Sequence, residues 1–402
     1  MSDGSGSAPS GEVVLVRWGE IFLKGDNRGF FERALVDNVR RSLAALPGTR
    51  VERTHGRLVV WPGEAGARRA VRALERVFGI VSVSPARVVA RDIEAISAAA
   101  IELARVEAAK HVRPTFKVES RRSDKRFPMG SMEVSRTVGA AIVGALALPV
   151  DVHTPLFTIG VEVGYEHAFV FGEIAPGPGG LPVGVTGKIE LLLSGGIDSP
   201  VAGWLMLKRG CALGATYFHS FPYTGEKTQD KVARLASQLA GWQLAPVRLA
   251  VVPFTDAQKQ LRDAAGDGRL AVVLYRRAML RTAERIARRA GAKALATGEA
   301  LAQVASQTLE NLGVIGAATT MPILRPCLGH DKLETVGLAQ RIGTYETSIE
   351  PYDDCCSLFV PEHPETRAKL AAVEAIEARL NVVAMADDLA ARATEHVCAP
   401  KG

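Results

Sequence analysis

The apolar residues at the start of the chain change between the two-residue period of strands and the longer period of helices. Phe31, Leu35, Val39 and Leu43, for example, lie four residues apart and would share one helical face. The pattern predicts a small α+β unit over residues 11–79. Its predicted elements are strands over 11–18 and 57–61 and helices from Gly29 and over 67–78.

A second α+β unit is predicted over residues 80–174. Its elements in chain order are a helix over 93–109, a strand over 115–119, a helix over 132–146 and strands over 156–163 and 167–173. Residues 175–187 are rich in proline and glycine, so we expect a linker without regular structure. Residues 1–10 are small and polar, and we expect a disordered leader that is not an export signal.

Residues 188–402 form a third unit, in which short apolar runs alternate regularly with helical spacing. Such alternation is typical of parallel strands joined by crossover helices, an α/β doubly wound sheet. Ligands bind such sheets at the carboxyl ends of the strands, where the strand order reverses. The predicted strands cover 189–193, 215–219, 247–252 and 293–297, and the predicted helices run from Pro200, over 228–242, over 270–290 and over 365–380.

Length and composition agree with a globular protein of two or three domains. The chain has 402 residues, of which 47% are hydrophobic and 23% are charged. Apolar runs stay shorter than the roughly 18 residues of a membrane-spanning helix, so we expect no membrane segment. The formal net charge of +6 permits a polyanionic partner without requiring one. Five cysteines without framework spacing or an export signal favour a reducing cytoplasm.

The most specific chemical signal is residues 194–199, Ser-Gly-Gly-Ile-Asp-Ser, between a predicted apolar strand and a predicted helix. Gly195 and Gly196 let the backbone approach an anion, and the exposed amides and the positive end of the helix attract it. The two serines add hydroxyl donors, whereas Asp198 would hold the loop or a bridging Mg²⁺. The pattern predicts a phosphate cradle that lacks the Walker lysine. The alternative is a tight turn with incidental serines.

This segment resembles the pyrophosphate loop of the PP-loop ATPases, which split ATP between the α and β phosphates and adenylate a substrate. Residues 297–307 (TGEALAQVASQ), 322–326 (PILRP) and 351–357 (PYDDCCS) resemble segments of the ThiI family of tRNA 4-thiouridine synthetases, which is also named for thiamine biosynthesis. The resemblance covers nearly the whole chain.

The resemblance implies three domains and an ATP site. Residues 11–79 would be a ferredoxin-like domain, 80–174 a THUMP domain that binds RNA, and 188–402 a PP-loop domain of the adenine nucleotide α-hydrolase type. ATP and Mg²⁺ would be the cofactors, without a resident metal site. By matching position, the residues implied to bind ATP are Leu192, Leu193, Ser194, Gly195, Gly196, Asp198, Ser199, Phe218, His219, Arg276, Gly298 and Gln307.

The resemblance also implies that uridine at position 8 of tRNA is adenylated on O4 and that a cysteine persulfide then supplies sulfur. A terminal persulfide sulfur is acidic and nucleophilic, which suits this attack. Cys355 is the best match to the catalytic cysteine and Cys356 the second choice, with Asp198 as a further catalytic residue. Asp353 and Asp354 would oppose thiolate formation, so nearby positive charge is required. A purely structural use of the vicinal pair stays open.

The other three cysteines have different settings. Cys211 and Cys327 lie in apolar segments and are expected to be small buried residues. Cys398, near the chain end, would be inert or would resolve a disulfide. Because the chain after Cys356 is too short for the rhodanese-like domain of longer relatives, we expect sulfur to arrive directly from a cysteine desulfurase or another persulfide donor.

A basic stretch in the predicted THUMP domain is the candidate RNA contact. Cationic groups neutralise phosphates, and the neighbouring Phe116 and Phe127 could stack on bases. A solvated surface is the alternative, which the THUMP resemblance disfavours. The candidate residues are Arg113, Lys117, Arg121, Arg122, Lys125 and Arg126.

Together these features predict a cytoplasmic, ATP-dependent tRNA sulfurtransferase. The family resemblance also implies a second activity, the supply of sulfur for the thiamine thiazole through a sulfur-carrier protein. The oligomeric state stays open, with a homodimer as one option. Two other functions stay open: an RNA-binding, amide-forming adenylating ligase, and a non-catalytic RNA-binding protein with a vestigial loop. The vicinal cysteines speak against the first and the intact loop against the second.

Overall fold

The computed structural model describes residues 11–54, 56–223, 225–351 and 363–400. The predicted leader, 1–10, lies outside them. The chain divides into two compact units, Met1–Gly180 and Leu181–Gly402. None of the helices in the described part of the chain combines the length and apolar composition that crossing a bilayer requires.

The first unit has an α+β architecture with a mainly antiparallel sheet. Two 3-10 helices, Glu20–Asn27 and Gly63–Ala65, precede α1 and α2. The elements are β1 (Gly11–Trp18), α1 (Arg28–Ser42), β2 (Arg50–Thr54), β3 (Arg57–Trp61), α2 (Ala67–Leu74), β4 (Ile80–Val89), α3 (Ile93–Ala108), β5 (Phe116–Arg122), α4 (Ser131–Leu146), β6 (Phe157–Val163), β7 (Ala168–Phe171) and β8 (Ala175–Pro176).

The two predicted N-terminal units share one continuous sheet, in the order β2-β3-β1-β4-β7-β6-β5. The long strand β4, which the sequence pattern does not reveal, pairs with β1 along one edge and with β7 and β8 along the other. Pro85 interrupts its pattern, but this residue lies between the stretches that pair with β8 and β7, where a missing amide is tolerated.

Helices α3 and α4 cover one part of this sheet with residues at helical spacing. Ile96, Ala100 and Ala104 on α3 and Val134, Val138 and Ile142 on α4 are buried against the strands β5 and β6. Each set repeats every four residues, so one face of each helix points into the core. The apolar residues whose spacing predicts these helices are therefore the residues that pack them against the sheet.

The predicted linker, 175–187, is more ordered than its composition indicates. Ala175–Pro176 forms β8, and the amide of Gly177 donates to Val81 O at 2.8 Å. A Cβ on Gly177 would lie 2.4 Å from Ile80 O, so glycine is needed there. Leu181 N donates to Lys208 O at 3.0 Å in the second unit. The expectation of no regular structure is wrong at β8, because backbone hydrogen bonding compensates for weak local propensity.

The second unit is an α/β domain. A 3-10 helix, Ala305–Gln307, precedes α9. The elements are β9 (Gly187–Leu192), α5 (Asp198–Lys208), β10 (Cys211–His219), α6 (Glu226–Gln243), β11 (Val247–Pro253), α7 (Thr255–Ala264), α8 (Ala271–Arg289), β12 (Leu295–Ala296), α9 (Leu309–Gly316), β13 (Ile323–Leu324), α10 (Lys332–Ile342), α11 (Tyr345–Ile349), α12 (Leu370–Glu377), α13 (Val382–Ala391) and β14 (Thr394–Cys398).

The sheet of the second unit has the order β13-β12-β9-β10-β11-β14. Its first five strands are parallel, as predicted. An antiparallel edge strand, β14, pairs with β11, and the mostly exposed and polar sequence of Thr394–Cys398 did not predict this strand. The chain proceeds from β9 to β10 on one side and reaches β12 on the other. The strand order therefore reverses beside β9, where such sheets bind ligands.

The helix predicted over 365–380 is shorter in the structure, where α12 covers only Leu370–Glu377. A further helix that the sequence analysis did not predict, α13, follows it, and Asn381 caps α13 by accepting a hydrogen bond from Ala384 N at 3.0 Å. Asparagine is a favourable N-cap because its side chain satisfies a free amide of the first turn.

A buried ion-pair network joins α8 to α12. Arg277 is 1% exposed and donates to both carboxylate oxygens of Glu377, at 2.8 and 2.7 Å. Arg281 donates to the same two oxygens, and Arg277 also donates to Val314 O at the end of α9. Since one carboxylate serves two arginines, its removal leaves a buried cation without a counter-charge.

We therefore expect Glu377→Ala to lower the free energy of unfolding by about 3–5 kcal/mol. Asp387→Ala, which removes the exposed partner of Arg285 on the same helix α8, should cost at most about 1 kcal/mol. Urea unfolding of the two variants measures the difference. Equal midpoints would show that the buried network contributes no more than a surface pair.

Candidate functional site

The loop between β9 and α5 is held by its own two serines. The hydroxyl of Ser199 accepts a hydrogen bond from Ser194 N at 2.9 Å, and the two serine Oγ atoms are 3.0 Å apart. Helix α5 begins at Asp198, two residues earlier than predicted, because Pro200 is tolerated in the first turn of a helix. The free amides of this first turn make the loop a site that attracts anions.

Gly298 brings a second strand end onto this loop. It follows β12, whose Ala296 pairs in register with Leu191 of β9. A Cβ on Gly298 would lie 2.5 Å from Ser199 N and 2.7 Å from Ser199 Cα. Glycine is therefore required for the backbone after β12 to lie against the start of α5.

A cavity of about 480 Å³ opens at these strand ends. Ten of the twelve residues predicted to bind ATP line it: Leu192, Leu193, Ser194, Gly196, Asp198, Ser199, Phe218, Arg276, Gly298 and Gln307. Residues that the sequence analysis did not name as ATP-binding also line it: Thr216, Tyr217, Val272, Met279, Thr297, Glu299, Gln303, Val304, Ala305, Ser306 and Pro364. Glu299 could have been found from the sequence, because polar residues just after a parallel strand lie at the ligand-binding edge.

Gly195 and His219 are predicted site residues that do not line the cavity. His219 ends β10, and its Nδ1 accepts a hydrogen bond from Phe221 N at 3.4 Å. Burial lowers the pKa of His219, so the neutral imidazole that this acceptor role requires is favoured at pH 7. In the structure His219 shapes the turn after β10.

The carboxylate of Asp198 forms an ion pair with Lys332. The Lys332 Nζ is 3.0 and 3.2 Å from the two carboxylate oxygens. Lys332 is the first residue of α10, whose N-terminus Asp331 and Glu334 close with a reciprocal capping box. The sequence contains the capping signal, but nothing local connects this lysine with a loop more than 130 residues earlier.

The three described cysteines, Cys211, Cys327 and Cys398, are free and buried. Burial, together with the charge of Asp198, raises the pKa of Cys327 to about 12, and its thiol lies 3.9 Å from Asp198 O. Burial also raises the pKa of Cys211 and of Cys398. All three favour the thiol form at neutral pH, so the prediction of buried cysteines at 211 and 327 is confirmed.

Cys355 and Cys356 lie outside the described residues, but the chain on both sides of them is firmly held. Before them, the ammonium of Lys231 donates to Ser348 O and Glu350 O at 2.9 and 2.6 Å. After them, Pro364 lines the cavity, and the fully buried Asn311 donates to the carbonyls of Glu365 and Ala305, each at 2.7 Å. Asn311 thus joins the chain after the cysteines to the cavity wall.

The six basic residues predicted to contact RNA have different surroundings. Arg122 Nη1 donates to the carbonyls of Phe127 and Met129 at 3.1 and 3.2 Å, which is a structural role. Arg126 is paired with the buried Asp124, and Lys117 with Glu119. The residues with exposed side chains are Arg113, Arg121, Lys125 and Arg126.

The fold and the cavity define a PP-loop type of α/β domain preceded by ferredoxin-like and THUMP domains. Sequence profiles match each part: the thiamine biosynthesis protein (ThiI) family over residues 184–382, the ThiI ferredoxin-like domain over 13–84 and the THUMP domain over 90–172. Similar proteins cover nearly the whole chain, and the chain belongs to the ThiI family.

The relatives share both sequence and structure with this chain. A protein named probable tRNA sulfurtransferase from Moorella thermoacetica is 48% identical over 374 residues, which cover 92% of this chain and 93% of that protein. One from Brevibacillus brevis is 48% identical over 385 residues, 95% of each chain. A crystal structure of a 4-thiouridine synthetase–RNA complex with bound ATP has a TM-score of 0.88 and 38% identity, covering 96% of this chain and 99% of that one.

Gly298→Ala should disturb the loop, because its Cβ would enter the backbone of α5. We expect a stability loss of about 1–3 kcal/mol, as for other overpacked sites, together with loss of nucleotide binding. Thermal unfolding and binding of α,β-methylene-ATP measure the two effects. The control, Gly313→Ala on α9, meets no atom within 4 Å and should leave both unchanged. Normal binding by Gly298→Ala would show that the contact does not shape the site.

Proposed function

We propose that this protein is an ATP-dependent tRNA sulfurtransferase that converts uridine 8 of tRNA to 4-thiouridine. The observation that carries the proposal is the cavity at the β9–α5 loop, in a chain that matches an ATP-bound 4-thiouridine synthetase over 96% of its length. The cavity combines apolar walls with an anion-attracting helix start, the combination that an adenine nucleotide requires.

The nucleotide would lie across the ends of β9, β10 and β12. Ser194, Gly196 and the first turn of α5 are the donors for the pyrophosphate part of ATP. Phe218 and Leu192 offer apolar surface to the adenine. Gln307, whose Oε1 is buried without a hydrogen-bond partner in the described structure, has a free acceptor for the nucleotide.

Asp198 fits a role in holding Mg²⁺. Magnesium on a nucleotide is commonly bound by one or two carboxylates plus phosphate oxygens and water, and Asp198 supplies one carboxylate beside the phosphate loop. Magnesium would neutralise charge on the departing pyrophosphate. Lys332, which holds this carboxylate in the structure, would be released toward the phosphates as the second local cation.

The reaction would proceed in two steps. O4 of uridine attacks the α phosphorus of ATP, the bond to the β phosphate breaks and pyrophosphate leaves. The terminal persulfide sulfur on Cys355 then attacks C4 and AMP leaves with the former O4. The second step is completed when another thiol attacks the Cys355 sulfur and breaks the sulfur–sulfur bond, leaving 4-thiouridine and a disulfide, and Cys356 is the candidate for this thiol. The buried Cys398 does not suit it.

We infer that a cysteine desulfurase or another persulfide carrier supplies the sulfur in a reducing cytoplasm. Free thiols at all three described cysteines support a reducing compartment. The same persulfide would serve the thiamine thiazole branch through a sulfur-carrier protein.

Single Cys355→Ser and Cys356→Ser variants test the chemistry. With tRNA, ATP and a desulfurase, Cys355→Ser should release pyrophosphate in the first turnover at the wild-type rate within about threefold but form no 4-thiouridine, because only the second step needs sulfur. Mass spectrometry of digested tRNA and a pyrophosphate assay measure the two steps. Cys398→Ala is the control and should stay active. Full thiolation by both serine variants would refute an obligatory role for either cysteine.

The tRNA contact should be electrostatic and should come from the exposed members of the basic stretch. Arg121→Ala and Lys125→Ala should each weaken tRNA binding and reduce the salt slope of log Kobs by about 1. Arg122→Ala should instead lower thermal stability, because its guanidinium bonds local carbonyls.

Filter binding between low and moderate salt measures these slopes. Arg105→Ala, which removes an exposed arginine paired with Glu102 on α3, is the matched control. A salt-independent affinity, or equal slopes for all variants, would contradict RNA binding at this stretch.

A further inference from the structure

Glu299 is a buried carboxylate in the wall of the cavity, 3% exposed, and it is anchored from one side. Its Oε2 accepts hydrogen bonds from Arg325 Nε at 2.7 Å and from Thr297 Oγ1 at 2.9 Å. Thr297 follows β12 and Arg325 follows β13, and these strands pair with each other. The carboxylate is therefore fixed by two adjacent strand ends.

The other oxygen of Glu299 contacts an arginine that also lines the cavity. Arg276 Nη1 donates to Oε1 at 3.3 Å, and Arg276 itself lines the cavity from helix α8. This contact is longer than the two anchoring bonds, and the Arg276 side chain is 25% exposed whereas that of Glu299 is 4% exposed. Glu299 is thus the fixed member of the pair and Arg276 the adjustable one.

The charges in this wall explain how a carboxylate can stand beside a polyphosphate site. Two guanidinium groups share one carboxylate, so the group of three keeps one unit of positive charge. A long arginine side chain loses rotamer entropy when it binds a ligand, and holding it in advance reduces that cost. Pairing with Glu299 would keep Arg276 directed along the cavity wall.

We propose that Glu299 is a positioning residue of the nucleotide site, which acts by holding the Arg276 guanidinium ready for ATP. The inference rests on the proposed function, because it requires that the cavity binds ATP. Arg325 and Thr297 contribute indirectly, because their hydrogen bonds fix the carboxylate of Glu299. The residue touches no reacting atom; its effect passes through Arg276.

A double-mutant cycle tests this dependence. The affinity for α,β-methylene-ATP, which cannot be split between the α and β phosphates, is measured by calorimetry for wild type, Glu299→Gln, Arg276→Ala and the double variant. Glu299→Gln alone should weaken binding by about tenfold, the scale of a lost charged hydrogen bond. In the Arg276→Ala background the same change should have no further effect.

Steady-state kinetics separate positioning from a structural role. Glu299→Gln should raise KM for ATP by about tenfold and leave kcat at saturating ATP within about threefold. Glu299→Asp, which keeps the charge, should recover part of the loss. Glu284→Gln is the matched control: Glu284, on α8, also accepts hydrogen bonds from an arginine, Arg288, and a threonine, Thr319, but it does not line the cavity.

The outcomes are distinct. Losses that add in the double variant would overturn the inference while leaving ATP binding, and hence the proposed function, intact. Failure of the wild type to bind the analogue would overturn both. If Glu299→Gln does not fold, Thr297→Val removes one anchor at nearly constant volume, and its smaller loss must likewise vanish in the Arg276→Ala background.

Discussion

The cavity at the β9–α5 loop depends on a close contact between two stretches of backbone. Gly298 lies against Asp198 and Ser199 so tightly that even a methyl group would collide with the start of α5. Parallel pairing of β12 with β9 brings both strand ends to one edge of the sheet, and the absent side chain lets them meet. The phosphate loop, the first turn of α5 and the residues after β12 therefore form one wall. The backbone contact therefore determines where the side chains that line the cavity lie.

The charged groups around this cavity wall form ion pairs with one another. Asp198 holds Lys332, and Glu299 holds Arg276 and Arg325. Buried or half-buried charges are costly without partners, so such pairing keeps the cations ordered at little cost in stability. Two carboxylates against three cations leave an excess of positive charge. The arrangement suits a polyanion.

Burial determines the protonation of the three described cysteines. Cys211, Cys327 and Cys398 are enclosed, and the raised pKa of each keeps it a thiol. Cys355 and Cys356 lie outside the described residues, and the described chain is anchored on both sides of them. Lys231 holds the chain before them, and Asn311 bonds the chain after them to the cavity wall. Pro364, which lines the cavity, follows Cys356 by eight residues in the chain.

Local sequence was sufficient for elements whose core contacts repeat along one helix or strand, such as β1, β9, α3 and α4, and for the strand–loop–helix connection at residues 194–199. Ten of the twelve predicted ATP residues line the cavity because ends of parallel strands must converge. The strand β4, the edge strand β14 and the roles of Lys332, Arg325 and His219 required the folded chain. Their partners are set by sheet order and by helix packing between segments that are distant in the chain. Such contacts produce no hydrophobic periodicity in the sequence around each residue, so local patterns could not predict them.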